Sequence, residues 1–336
     1  MAHLNRSNRV SARVTAALMV LAGALAMAAC GSSDGDSSSS SSSSGSCAPT
    51  NAACPALAIK SDCLGLVDNA GKDKFALRLS QLSITAPKVL TDAFVAKLVG
   101  DGVFINLPTC NLAGQGTFSL ITEFDRKAGK LRVGGAKPEQ NPAGGYCFAN
   151  DPANNIAPVE VAATFTAGGG FSIDPIAAIT LPIYLDIAAS STVYLPLRMA
   201  TLVKGTISAD NNCIGSFNAS GLQPANQCKP DLEVGINYFV DGATLEGHIQ
   251  LEEADAVVID LLNPKQTLCV LLSGDDKMFG EADKDGVIRC KRDANMKIVL
   301  EGDWCSATNS AGGCKDSYRL QSTIAGSSVK VRTDCP

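Results

Sequence analysis

The sequence predicts a mainly β fold: an antiparallel sandwich or barrel-like domain with one or two short covering helices and several disulfides. Between residues 75 and 217, short segments alternate apolar and polar side chains and are separated by Gly, Pro, Asn and Asp. This is the period-2 pattern of β-strands. The chain also contains 13 cysteines. Many short strands at near-regular spacing are typical of sandwiches and barrels.

The first element along the chain is a secretory signal peptide, residues 1–29. Arg6, Arg9 and Arg13 precede the uncharged run VTAALMVLAGALAM, and small residues then lead to Cys30. The apolar run is shorter than the roughly 20 residues that a helix needs to cross a bilayer. It is therefore predicted to be a processing segment rather than a membrane span.

The residues Met27-Ala28-Ala29-Cys30 resemble the lipobox of bacterial lipoprotein precursors, with Met27 where leucine is usual. The resemblance implies that Cys30 becomes the N-terminal residue and carries a diacyl lipid. Gly31 follows Cys30, whereas aspartate at that position is the inner-membrane retention signal of enterobacterial lipoproteins. The resemblance therefore implies delivery to the outer membrane in a host that has one, with the protein facing the periplasm or the cell surface. The alternative is ordinary cleavage that leaves Cys30 as a free thiol.

Residues 30–46 are predicted to form a lipidated, flexible tether. Gly31 to Ser46 are mostly serine and glycine and contain no apolar side chain that could be buried. A flexible coil of this length spans roughly 20–25 Å on average. Beyond the lipobox, the chain is similar in style to uncharacterised serine-tethered surface lipoproteins, a likeness that transfers no activity and no functional residue.

The β-rich domain is predicted over residues 47–228. Two turns divide strand-like segments, one at Asp125–Gly129 and one at Asp210–Asn212. The segment FALRLSQLSIT is expected to have one solvated face. The predicted strands are residues 75–85, 102–108, 116–124, 130–135, 159–167, 170–173, 181–187, 192–197 and 201–209.

Residues 229–336 are predicted to be a cysteine-rich β region with one short helix; whether this region continues the preceding domain stays open. The helix is expected at Glu252–Leu262, where Ala254, Val258 and Leu261 share one face and Pro264 follows. A second candidate helix is Pro87–Val99, which could equally be a loop that contains a strand.

The cysteines predict a disulfide framework outside the cytoplasm. Without Cys30, twelve remain, an even number that can pair completely. Two short-range pairs are expected, Cys305–Cys314 around SATNSAGG and Cys213–Cys228 around IGSFNASGLQPANQ.

One acidic loop partly matches a calcium-binding pattern. Glu281, Asp283 and Asp285 fall where an EF-hand loop places its first three oxygen ligands, and Gly286 follows at the turn position. Arg292 occupies the place of the final bidentate glutamate. Calcium at Glu281, Asp283 and Asp285 is therefore one hypothesis, and a solvated Asp-Gly turn is the other; no other cofactor is predicted.

Other motifs for chemistry are sparse. His248 is the one histidine after the signal peptide, and we expect it to be a strand residue that faces solvent or is hydrogen-bonded. Ser327 to Lys330 spell S-x-x-K, which in acyl enzymes pairs a serine with a lysine, but here the motif lies in a strand-like segment. Trp304 is expected to pack against a disulfide rather than to bind a sugar.

Composition narrows the class of function. Removal of residues 1–29 takes three arginines and no acid, which changes the formal charge from −5 to −8. An acidic chain without a basic cluster is not expected to bind nucleic acid. The sequence therefore predicts a lipid-anchored, non-enzymatic structural or binding module with an unknown envelope or extracellular partner. The alternatives are a carrier of a hydrophobic small molecule and a hydrolase that uses carboxylates or a metal.

Overall fold

The computed structural model describes residues 63, 65–91, 116–186, 188–222, 236–240, 242–260, 262–274 and 278–335. The predicted signal peptide, Cys30, the predicted tether and the predicted strand at 102–108 lie outside these ranges. The described part contains no helix that is both long enough and apolar enough to cross a bilayer.

The described residues form seventeen strands, and they confirm the mainly β, antiparallel prediction. The strands are β1 (Lys74–Ala86), β2 (Leu120–Asp125), β3 (Lys130–Gly135), β4 (Val159–Phe165), β5 (Gly170–Ile173), β6 (Ile176–Tyr184), β7 (Thr192–Val203), β8 (Gly205–Thr206), β9 (Cys213–Ile214), β10 (Ser216–Phe217), β11 (Phe239–Val240), β12 (Ala243–Gln250), β13 (Val258–Ile259), β14 (Gln266–Thr267), β15 (Phe279–Ala282), β16 (Ile288–Cys290) and β17 (Ser317–Val329).

Eleven of these strands form one antiparallel sheet that curls into a half-barrel. Its order is β6-β7-β12-β17-β1-β2-β3-β4-β5-β8, and β9 pairs with β17. Strands β10 and β11 form a two-stranded sheet, and β13 to β16 form a four-stranded one. The turn predicted at Asp125–Gly129 is confirmed as the connection between β2 and β3.

The curl brings the two arms of the large sheet together. Lys204 has a φ of 53° and separates β7 from β8, so the chain passes directly from one arm to the other. Thr206 N then donates to Gly242 O at 2.9 Å, next to the start of β12. Thr201 Oγ1 of β7 donates to Ile173 O of β5 at 2.8 Å. These bonds hold β5 and β8 against β7 and β12.

The half-barrel encloses the main hydrophobic core, and a second cluster covers the outside of β1, β2 and β17. The outer cluster includes the fully buried Tyr146 together with Ile121 and Val329. Residues 75–81 of β1 are therefore buried on both faces, which corrects the prediction of one solvated face for this part of the strand; residues 82–86 are half-buried or exposed. Arg78 of β1 points into this outer cluster, and its guanidinium lies 5.6 Å from the centre of the Tyr146 ring.

Three short α-helices occur in the described residues: α1 (Lys88–Thr91), α2 (Leu251–Ala256) and α3 (Leu268–Ser273). Single-turn 3-10 helices lie at Pro142–Gly144, Pro152–Asn154 and Ala167–Gly169. The helix predicted at Glu252–Leu262 is present but ends at Ala256, because Val258 and Ile259 pair with β14 instead.

Four disulfides occur in the described residues: two between distant parts of the chain, Cys63–Cys213 and Cys147–Cys335, and two short-range ones, Cys269–Cys290 and Cys305–Cys314. The predicted pair Cys305–Cys314 is confirmed. The predicted pair Cys213–Cys228 is wrong, because β9 pairs with β17 and this places Cys213 beside Cys63. Multiple disulfides are typical of proteins that fold outside the reducing cytoplasm.

The segments 47–228 and 229–336 both contribute strands to the large sheet. Strands β12 and β17 come from the second segment, and they lie between β7 and β1 of the first. Cys147–Cys335 also joins the two segments.

Candidate functional site

One end of the half-barrel carries a compact insertion between β12 and β17, which we call the cap (residues 251–316). It contains α2, α3, strands β13 to β16 and two disulfides. Helix α3 begins at Thr267, whose hydroxyl accepts the backbone N–H of Val270. Leu268, Val270 and Leu272 of α3 are buried in the main core, so the cap is continuous with the half-barrel.

Asp255 is the buried polar centre of the cap. Its Oδ1 accepts hydrogen bonds from Thr267 Oγ1 at 3.0 Å and from Cys290 N at 2.9 Å. Its Oδ2 accepts from the Arg292 guanidinium at 2.8 Å. The carboxylate is only 3% exposed, so these donors replace the water that an ionised acid requires. The role of Asp255 in this geometry is structural.

The last part of the cap folds back over the outside of the sheet, and we call it the strap (residues 301–316). The disulfide Cys305–Cys314 closes it, and Trp304 N donates to Ser317 O at 3.0 Å. Asp316 fixes its end, because its carboxylate accepts Ser306 N at 2.8 Å and Ser306 Oγ at 2.6 Å. The strap is thus a closed loop tied to the start of β17.

His248 of β12 is covered by the strap. It lies between Arg198 of β7 and Arg319 of β17 in the strand register and is 2% exposed. The side chain of Asn309 lies beside its ring, and its Nδ1 is buried without a hydrogen-bond partner. Desolvation lowers the pKa of His248, and Arg198 acts in the same direction. Of the two predicted environments, the one that faces solvent is therefore wrong, because the strap and the sheet enclose the ring.

Charged and aromatic side chains surround His248. Arg198 forms a forked ion pair with Glu253 of α2, with Nε 3.0 Å from Oε1. The guanidinium of Arg319 lies 5.2 Å from the centre of the Trp304 ring, and Trp304 Nε1 donates to Asn309 Oδ1 at 3.0 Å. Trp304 therefore packs against Arg319, and the disulfide Cys305–Cys314 begins at the next residue.

Sequence reasoning missed Arg198, Glu253 and Asn309 as neighbours of His248. They come from β7, α2 and the strap, which are far apart in the chain. The one local signal was the alternation of β12, which places His248 and Glu246 on the same face.

The acidic loop uses its central carboxylate within its own turn. Asp283 Oδ1 accepts the backbone N–H groups of Asp285 at 2.9 Å and Val287 at 3.0 Å, and its Oδ2 accepts Arg289 Nε at 2.9 Å. The pKa of Asp283 is lowered, first by the Val287 N–H and also by Arg289, against the effect of desolvation. Glu281 and Asp285 are exposed. This arrangement is that of the Asp-Gly turn, and it gives the calcium hypothesis no added support.

Within the described residues, two groups of three side chains have metal-ligand spacing: Asp255 with Cys269 and Cys290, and Asp316 with Cys305 and Cys314. In each group the two cysteines are bonded to each other. A disulfide sulfur is not the thiolate that binds a metal.

The S-x-x-K motif lies in β17 and is structural. Ser327 Oγ donates to Cys63 O at 2.8 Å, and Ser328 Oγ donates to Val67 O at 2.6 Å. Each hydroxyl thus anchors the segment that enters the fold at Cys63.

Inside the half-barrel, a cavity of about 20 Å³ lies between β2, β3, β5, β6, β7 and β12. Its walls are aliphatic apart from Thr201, whose hydroxyl is bonded to Ile173 O. A space of this size holds about one water molecule, whereas small-molecule pockets usually measure several hundred Å³.

The ends of β17 define two poles of the molecule. Ser327 and Ser328, near its last residue, hold the chain at Cys63 and Val67. Ser317, its first residue, pairs with Trp304 of the strap. At roughly 3.3 Å per residue, the length of β17 separates the poles by about 40 Å. Cys63, the first residue that the structure describes, therefore lies at one pole, and the cap lies at the other.

Comparisons with known proteins give no relative from which a function could be transferred: no family model, no curated protein and no solved structure matches the chain.

Proposed function

We propose that this chain is a lipid-anchored protein of the cell envelope whose half-barrel acts as a non-enzymatic structural or binding module. The observation that carries the proposal is the order of elements from the N-terminus: a signal peptide, Cys30 in a lipobox-like sequence, a serine-rich tether, and then a disulfide-linked β domain. This order tethers a stable domain outside the cytoplasm.

The position of the poles supports this function. Cys63–Cys213 and the bonds from Ser327 and Ser328 hold Cys63 at the pole opposite the cap. Because the predicted tether precedes Cys63 in the chain, the proposed arrangement directs the cap away from the membrane. In the cap, acidic residues outnumber basic ones. Anionic headgroups repel such a surface, which favours contact of the cap pole with an envelope or extracellular partner. We place the protein at the outer membrane of hosts that have one.

A carrier of a hydrophobic small molecule is the second candidate, and the aliphatic lining of the interior favours it. With a cavity of about 20 Å³, however, a ligand would have to displace side chains of β6 or β7. Such a ligand would be expected to widen the space between these strands and β3.

The anchor is tested with the full chain expressed in a bacterium that is fed an alkyne-labelled fatty acid. We expect the wild-type protein to carry the label and to enter the detergent phase on phase separation. Cys30→Ala should abolish both properties, whereas Cys47→Ala, the matched control, should retain the label. An unlabelled wild-type protein that stays in the aqueous phase would overturn the proposal.

Native mass spectrometry distinguishes the proposed structural or binding module from the alternative, a carrier of a hydrophobic small molecule. The domain from Cys47 onward, isolated from an oxidising compartment, is compared before and after denaturation without reduction. A module gives the same mass in both states. An adduct of a few hundred daltons that denaturation removes would favour the carrier instead.

A further inference from the structure

We propose that His248 is a pH-sensitive latch: protonation of its ring releases the strap, residues 301–316, from the outer face of β7, β12 and β17. The inference is independent of what the module binds. It rests on the enclosure of His248, on its buried and unpartnered Nδ1 and on the charges that face the ring.

The surroundings of the ring favour its neutral form. Nδ1 is buried and has no hydrogen-bond partner. Asn309 Oδ1, beside the ring, is an acceptor, since Trp304 Nε1 donates to it. A neutral ring with its proton on Nε2 and an unprotonated Nδ1 fits both observations. A second proton would create a buried N–H donor with no acceptor, an arrangement that costs free energy.

Charges reach His248 from every element around it. Arg198 of β7 disfavours a positive ring, whereas Glu253 of α2 and Asp316 of the strap favour it. Both acids already have donors, because Glu253 binds Arg198 and Asp316 binds Ser306. Arg319 lies opposite His248 on β17 and pairs with Glu246. The site thus offers the imidazolium no acid that is not already bonded.

The sign of the pH effect follows from this balance. Desolvation under the strap lowers the pKa of His248, whereas an opened strap would return the ring to its ordinary value near 6.5. The open form therefore binds the proton more tightly. The stability that neutral His248 gives the closed strap is therefore fully present above about pH 6.5 and is lost as the pH falls below that value.

Titration of Asp316 does not account for opening of the strap over the same pH range. Desolvation opposes ionisation of Asp316, but hydrogen bonds from Ser306 and Ser317 outweigh it and lower the pKa of this carboxyl. It therefore stays ionised while His248 titrates.

The strap contains a built-in probe, because Trp304 is the one tryptophan of the chain. The experiment measures acrylamide quenching and the emission maximum of Trp304 in the disulfide-bonded domain from pH 8 to pH 4. We expect greater quenching and a red shift below about pH 6.5, with unchanged far-UV circular dichroism. Hydrogen exchange of peptides from residues 301–316, corrected for the intrinsic pH dependence, should increase over the same range.

Two variants test whether His248 causes the pH-dependent opening of the strap. His248→Gln keeps a donor for Asn309 and cannot titrate, so we expect it to remove the transition. Arg198→Gln removes the positive neighbour that disfavours the imidazolium in the closed form, so protonation drives opening less strongly and the midpoint of opening should move to lower pH. The latch is refuted if the wild-type strap stays closed to pH 4, if His248→Gln titrates like the wild type, or if opening coincides with loss of the β-sheet signal. If His248→Gln does not fold, two measurements test the latch instead. These are the shift in the midpoint of strap opening in Arg198→Gln and the hydrogen exchange of residues 301–316 in the wild type.

Discussion

At the scale of single residues, burial decides what a charged side chain does. Asp255 and Asp260 are both in the cap and both have a basic partner. Asp255 is enclosed with Arg292, Thr267 and the Cys290 backbone. Asp260 instead pairs with Lys265, and both side chains are more than half exposed. Water can hydrate Asp260 and Lys265 when their ion pair is broken. It cannot hydrate the buried carboxylate of Asp255 in the same way.

We expect Asp255→Ala to lower the free energy of unfolding by about 2–5 kcal/mol, because it leaves the buried Thr267 hydroxyl and Cys290 N–H without their acceptor, at about 1–3 kcal/mol each. Asp260→Ala is the matched control and should cost about 0–1 kcal/mol. Urea unfolding of both variants with intact disulfides measures the difference. Equal effects of the two substitutions would contradict a structural role for Asp255.

At the scale of elements, the curled sheet depends on close packing where β6 meets β3. Strand β6 is bonded to β7 along one edge, and its Pro182 packs against Gly135 of β3. A Cβ at position 135 would lie 2.5 Å from Pro182 Cδ. Glycine is therefore required here by the neighbouring strand.

Gly135→Ala should destabilise the domain by about 1–3 kcal/mol, because the two strands must move apart to admit the methyl group. Gly312→Ala serves as the control, since nothing lies within 4 Å of a Cβ at that position. Thermal unfolding by circular dichroism compares the two. A melting temperature of Gly135→Ala equal to that of Gly312→Ala would show that the strands are not tightly packed.

The elements also show what the sequence could and could not predict. Alternation and turn residues identify β2, β3 and the connection between them, because these features are local. The sequence pattern predicts an end of α2 that is too late, because Val258 and Ile259 have apolar helical spacing. In the structure, these two residues pair with β14. Cys213 was assigned the wrong partner because pairing of β9 with β17, more than 100 residues away, decides its position. The enclosure of His248 depends on the strap in the same non-local way.

At the scale of the whole molecule, the order of strands makes the half-barrel one cooperative unit. Strands β12 and β17 are central in the large sheet but come from the C-terminal segment. The bond Cys147–Cys335 also crosses between the segments. Without residues 229–336, β1 and β7 would each lose a neighbouring strand, and the main core would lose α2 and α3.

We therefore expect the domain from Cys47 onward to unfold in a single transition, with coincident midpoints from circular dichroism and Trp304 fluorescence. The fragment 47–228 lacks Cys335, so it carries Cys147→Ser to remove the thiol that has lost this partner. The fragment should show no cooperative transition. The full domain with Cys147→Ser and Cys335→Ser is the control: it lacks the same disulfide but keeps β12 and β17, so it should retain one transition at a lower midpoint. Cooperative unfolding of the fragment alone would mean that the first segment folds independently. In that case, the shared sheet would be an interface between two domains.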